Sequence, residues 1–361
     1  MDCSEIRRHF EKAESLRQKS RYTESLDFFR KALRGYSSLG DLQGALDCRL
    51  SIGDVHRMIG NYDLAGKSYS EAIVLGKRIG DMTAVADAET NIGLSLRGKG
   101  DWKNALTALK KALTFYKKEN DRQAVAFSLW AIAGTLRIKG DIPEAIREYK
   151  AALKIFRQLR LKPSVGYCLC GLGGTHRIAG LFPESLAYYR DANKLFSELK
   201  DIFGTAYSYC GTGNAYRMLG EYKKALSNFS RASALYKKIG DRVSYSYTLW
   251  SMGTTHKMLG EYDKARYYFR IARDLFKKTK DPRGLIYCML GIGEVALLEG
   301  RKALAERYID KSVTQAADYG FKVERCHAEM MKSYLDGKML TGCYNKLGLK
   351  LVFDRAPFNI P

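Results

Sequence analysis

Apolar and small residues recur along this chain at helical spacing, in blocks that repeat every 40 residues without insertion or deletion. In residues 201–240 they fall at Tyr209, Thr212, Gly213, Tyr216 and Leu219, which is one face of a helix. Gly220 follows where a C-cap glycine would end that helix. Glu221 opens a second helix with Tyr222, Ala225, Phe229 and Ala232 on one face. Gly240-Asp241 then closes the block and starts the next, as Gly40-Asp41 and Gly80-Asp81 do. Each block therefore predicts two antiparallel helices joined by short turns. Glycine stands at 60, 100, 140, 180, 220, 260 and 300. Five residues further on stand Ala65, Ala105, Ala145, Ala225, Ala265 and Ala305, with Ser25 and Ser185 in the same column. A fixed period of this length means an array of one supersecondary unit in which each copy contacts its neighbours. The prediction is one continuous all-α solenoid over residues 1–320, followed by a segment 321–361 of different character.

Bulk properties narrow the class of function. The apolar fraction is 46%, near the globular norm. The first twenty residues hold no apolar core of a secretory signal, and no run approaches a membrane span. Cys48, Cys168 and Cys288 share one repeat position where other blocks carry Ala, Ser or Thr, so they read as packed, reduced thiols. The cysteine spacing fits no zinc or redox pattern, and a reducing, cytoplasmic setting follows. The net charge of +22 favours acidic partners. Part of it is structural: Lys77/Arg78, Lys117/Lys118, Lys237/Lys238 and Lys277/Lys278 sit where second helices end and complement their dipoles.

The repeating unit resembles the tetratricopeptide repeat. The family's pattern stands here as Ile52-Gly53, His56, Tyr62, Ala65, Tyr69, Ala72, again as Thr212-Gly213, Tyr216, Tyr222, Ala225, Phe229, Ala232, and again as Met252-Gly253, His256, Tyr262, Ala265, Phe269, Ala272. The period of 40 is similar to that of the Pins/LGN-type adaptors and of some bacterial peptide-sensing regulators. The resemblance implies a right-handed α-solenoid of about eight helix pairs. Repeat 1 departs at Ala13, where glycine is expected, and repeat 8 has Leu297 in place of the basic residue. Residues VERCHAEMMKSYLDGKM predict a capping helix. The tail LGLKLVFDRAPFNIP is apolar, and three fates stay open for it: packing on the cap, filling the groove or disorder.

The resemblance also implies that first helices line a concave face. Its twelfth motif position is a basic column: Arg17, Arg57, Arg97, Arg137, Arg177, Arg217 and Lys257. Its second position is Asp47, Asp87, Phe127, Tyr167, Tyr207, Tyr247 and Tyr287, and its fifth includes Trp130 and Trp250. The sixth and ninth positions are small or polar, among them Gly134, Gly171, Gly174, Gly211 and Asn214. The expected groove has a cationic rail, an aromatic rail from repeat 4 onward, and a glycine floor that suggests close approach of a ligand. Structural alternatives stay open. The arginines can satisfy their own helix ends or pair with the acid opening the next helix, such as Asp101, Asp141 or Glu221. The tyrosines can pack between units.

No catalytic constellation emerges. His56, His176 and His256 share a packing position with Leu136 and Tyr216, and no phosphate loop or hydrolase motif is present. The chain therefore reads as a non-enzyme without a cofactor or metal. The leading expectation is a protein–protein interaction scaffold that binds an acidic, partly apolar peptide, since arginine grips carboxylates bidentately. Single-stranded nucleic acid is the alternative, on basic charge plus regularly spaced rings. A ligand- or peptide-gated regulator is a third. Oligomeric state is not legible.

Overall fold

The computed structural model describes residues 2–19 and 21–361. Its long helices are α1 Cys3–Gln18, α2 Tyr22–Leu39, α3 Leu42–Met58, α4 Tyr62–Ile79, α5 Met82–Gly98 and α6 Trp102–Lys118. They continue as α7 Arg122–Lys139, α8 Ile142–Gln158, α9 Lys162–Ile178, α10 Phe182–Glu198, α11 Ile202–Met218 and α12 Tyr222–Ile239. Then come α13 Arg242–Met258, α14 Tyr262–Thr279, α15 Pro282–Leu298, α16 Lys302–Asp318, α17 Lys322–Leu335 and the short α18 Gly342–Lys346. No strand occurs among the described residues. The elements α1 to α16 are eight helix pairs of an α-solenoid, one pair per block of 40 residues.

The turns follow the sequence closely. After each first helix from the second repeat on, a glycine takes the left-handed conformation, for example Gly220 at φ +78°. Its amide and the next one cap the helix through Arg217 O and Tyr216 O. After second helices the column is mixed, and Asn120, Arg160, Lys200 and Lys280 hold the same left-handed backbone without being glycine. The aspartates that follow are N-caps: the carboxylates of Asp41, Asp81, Asp201 and Asp281 accept from the amides of Gly44, Ala84, Gly204 and Gly284.

Packing explains the alanine column. Ala65, Ala105, Ala145, Ala225, Ala265 and Ala305 are all fully buried. Small side chains there let the two helices of a pair approach, and a large ring fills the remaining space. Fully buried Phe29, Tyr69, Phe229 and Phe269 are such rings. Cys48, Cys168 and Cys288 are fully buried and free, as expected. Burial pushes the thiols of Cys48 and Cys168 up to about 12, so neither is a nucleophile at neutral pH.

The chain divides into two compact units, Met1–Ser128 with Lys237–Arg242, and Leu129–Tyr236 with Val243–Pro361. Within the second unit the C-terminal elements reach back to earlier turns. Lys322 at the start of α17 pairs with Asp141 at 2.5 Å, over Gly140. The Lys350 amide donates to Ala179 O at 2.8 Å, and its carbonyl lies against Gly180. Cys326 of α17 and Cys343 of α18 come together, their Cα atoms 5.8 Å apart. Sequence spacing offered no reason to pair them, because the two lie 17 residues apart and meet only when α18 folds onto α17.

Candidate functional site

The basic column lies in the last turn of the first helices, and its members have different fates. In the first unit Arg17 pairs with Glu14 at 2.6 Å. Arg57 lies 3.4 Å from Tyr69 Oη and 3.7 Å from Asp54, which also accepts from Tyr69 Oη. Arg97 is half-buried at the end of α5, and Phe127 is 37% exposed.

In the second unit the column splits in two. Arg217 is fully buried and Lys257 is 1% exposed. Arg217 Nη1 donates to Asn359 Oδ1 and, at 3.0 Å, to Ile360 O. Its other terminal nitrogen donates to Asn214 Oδ1 at 3.2 Å, and the guanidinium lies 5.6 Å from the Trp250 ring centre. Lys257 Nζ pairs with Glu294 and donates to Phe358 O at 2.7 Å. Burial drives Lys257 down and Glu294 up, and the attraction between them opposes both shifts. Burial, then the charge of Arg177, also lowers Arg217.

Arg137 and Arg177 have no such partners. Arg137 Nε and Arg177 Nε and Nη1 are buried without a hydrogen-bond partner in the protein. The acids that the alternative reading offered are occupied: Asp141 by Lys139 and Lys322, and Glu221 by Lys224. Other interior carboxylates are engaged elsewhere. Asp201 accepts from Tyr167 Oη at 2.8 Å, and Glu324 Oε1 holds Arg283 and Tyr287 Oη while its Oε2 has no hydrogen-bond partner. Arg137 lies among Tyr149, Tyr207, Tyr189 and Arg283, none of them a carboxylate. Arg177 is near enough to act on Tyr189, Arg217, Tyr287 and His327.

The aromatic column is largely built into the fold. Tyr167 packs on Phe196 at 4.8 Å, Tyr247 on Phe276 at 4.7 Å, and Tyr207 lies 6.3 Å from Phe203. Tyr287 is 3% exposed and packs on Trp250, whose Nε1 donates to the Tyr287 carbonyl at 3.1 Å. Trp130 is half-buried in α7. Asn214 is internal, with Oδ1 accepting from Ser251 and Arg217. The glycine floor has an internal explanation as well. A Cβ on Gly171 would stand 2.4 Å from the Tyr149 ring, and one on Gly211 would stand 2.0 Å from that of Tyr189. At Gly174 it would meet Arg137 Nη1 and Tyr189 Oη, each at 3.0 Å. The close approach is by the chain's own tyrosines, not by a ligand.

The tail fills the site beside the paired cations. Phe358 and Ile360 are buried, while the Asn359 amide both accepts from Arg217 and donates to its carbonyl at 2.8 Å. The Phe358 amide donates to Glu294. Sequence reasoning passed over Glu294, though the signal was present. It continues the column Gly134, Gly174, Asn214, Thr254 and turns it acidic one repeat after Lys257.

Residues 84–158 and 166–238 match the family model of the tetratricopeptide repeat. Several solved structures share the fold. A Rap protein complexed with Competence and Sporulation Factor is 16% identical, with 95% of this chain and 99% of that one covered and a TM-score of 0.61. The Rap conjugation gene regulator of the plasmid pLS20, in complex with the Phr* peptide, is 15% identical over 96% and 98% of the two chains, with a TM-score of 0.59. Aspartyl phosphate phosphatase F from Bacillus subtilis is 12% identical over 98% of each chain, with a TM-score of 0.53. No curated protein matches the sequence significantly. No helix among the described residues is long and apolar enough to cross a membrane.

Proposed function

We propose that the chain, whose residues 84–158 and 166–238 match the tetratricopeptide-repeat model, is a non-enzymatic peptide-binding scaffold whose ligand places a carboxylate on Arg137 and Arg177. Residues 1–320 form the binding solenoid in this reading, and 321–361 the cap and tail. The observation that carries it is the pair of arginines with buried, partnerless nitrogens in a column whose next two members, Arg217 and Lys257, are held by the tail, Arg217 through its terminal nitrogens with only Nε left over. A buried cation without a counter-charge is costly, and an arriving acid removes that cost. In this reading Tyr207, near Arg137, and Trp130, two helical turns before Arg137 on α7, supply the apolar part of the site. The relative solved with the Phr* peptide supports a peptide as the class of ligand that this fold accommodates.

A cytoplasmic setting fits the six free cysteines. Non-enzymatic action is kept despite the fold shared with a phosphatase, since a fold hosts several functions. Titrating the protein with fluorescein-labelled acidic peptides and with single-stranded oligonucleotides tests the reading. Acidic peptides should bind and retain part of their affinity at 1 M salt. Oligonucleotide binding with no peptide binding would refute it in favour of the nucleic-acid alternative.

A further inference from the structure

We propose that Arg217, Lys257 and Glu294 form a backbone-reading subsite for an extended peptide of aromatic–amide–aliphatic character, and that the chain's own Phe358–Pro361 is its resident, displaceable occupant. The contacts have the form of ligand recognition. Glu294 takes the Phe358 amide and Lys257 its carbonyl, so both backbone polar groups of one residue are read. Arg217 takes the Ile360 carbonyl and exchanges a reciprocal pair of hydrogen bonds with the Asn359 amide. Phe358 and Ile360, two residues apart, are 1% and 2% exposed, while Asn359 between them is only half-buried. That alternation is how a groove reads a segment with a period of two.

The tether argues that this occupant can leave. Between the Lys350 anchor at Ala179 and the buried Phe358, Val352 is 90% exposed and Asp354 and Arg355 are also exposed. Leu351 is buried and Phe353 packs on Tyr344 and Phe358, so the link is anchored there and solvated at Val352, Asp354 and Arg355; release of Phe358–Pro361 uncovers Phe358, Ile360 and Pro361 and displaces no helix. The subsite continues the column of Arg137 and Arg177, so it adjoins the proposed acid-binding pair. Regulation of peptide binding by the tail rests on the scaffold reading above; the subsite itself does not.

The test uses the full chain, wild type and Phe358→Ala/Asn359→Ala, with a fluorescein-labelled synthetic peptide of residues 351–361 as probe. A competent fraction raised by loosening the tail raises apparent affinity in proportion. The double variant should bind the probe at least about tenfold more tightly than wild type. A probe carrying Asn359→Ala should bind neither. Hydrogen exchange should show residues 350–361 opened and α9 to α16 protected in the double variant. Global unfolding of the double variant overturns the proposal, because the tail would then be core rather than occupant. A folded double variant that ignores the probe overturns it as well. If the probe binds and acidic peptides bind no variant, the subsite stands and the scaffold reading falls. If acidic peptides bind both chains equally and the probe binds neither, the reverse holds.

Discussion

Replacing Arg177 with methionine should move stability and ligand affinity in opposite directions. Arg177 Nε and Nη1 are buried with no partner in the protein, and the residue as a whole is half-buried. An unsatisfied buried donor costs about 1–3 kcal/mol, and the partial exposure places Arg177 toward the lower end of that range. Methionine keeps an unbranched stem that fills irregular space and removes both donors and the charge. The net expectation is a gain of about 1 kcal/mol, which for a unit of this size is an upward shift of about 2–4 °C in Tm. Affinity for an acidic peptide should fall by about 1.5–3 kcal/mol, the worth of a charged hydrogen bond. That is a loss of roughly ten- to a hundredfold.

Arg217→Met is the matched contrast. It strips half-buried Asn359 Oδ1 and the buried Ile360 carbonyl of their donor. Leaving such neutral acceptors unpaired costs about 1–3 kcal/mol. Thermal melts and fluorescence anisotropy on the two variants decide the matter. If Arg177→Met melted lower than wild type with peptide affinity intact, Arg177 would be a structural residue and the binding site would lie elsewhere.

Three further outcomes are expected. His327 is fully buried beside Tyr344, Glu324 and Arg283, and burial lowers it to about 4. The unfolded chain takes up that proton below about 6.5 and the folded chain does not until about 4. The stabilisation is therefore complete above 6.5 and is lost as pH falls toward 4, by up to about 3 kcal/mol. Melts from pH 7 to 4.5 should show this loss, and His327→Gln should flatten it. Lys200→Gly should stabilise by about 0.5–1 kcal/mol in chemical denaturation, because Lys200 holds φ +55° where a side chain is strained. Gly211→Ala should cost about 1–3 kcal/mol, since its Cβ would enter the Tyr189 ring, whereas Gly66→Ala meets nothing and should gain about 0.5–1 kcal/mol.

The repeats were legible because most turns restate the same local chemistry: a left-handed glycine after the first helix, an aspartate cap before the next pair, and an alanine where helices cross. These are contacts between near neighbours in sequence, so one 40-residue block carries them all. The site was legible only in position. The columns located Arg137, Arg177, Arg217 and Lys257 on equivalent turns, but their surroundings come from segments far away in sequence. Arg217 meets Asn359 across 142 positions, and Lys257 meets Phe358 across 101. A periodic reading treats such columns as uniform rails, and it is the non-repeating tail that makes them unequal. The glycine floor went astray for a related reason. Helix packing and ligand access both select glycine, and only the ring of Tyr189 over Gly211 separates them. What distinguishes Arg217 and Lys257 from Arg137 and Arg177 is the tail, whose Asn359, Ile360 and Phe358 supply their acceptors, and a contact with a segment outside the repeats is a property of three-dimensional neighbours that no single column contains.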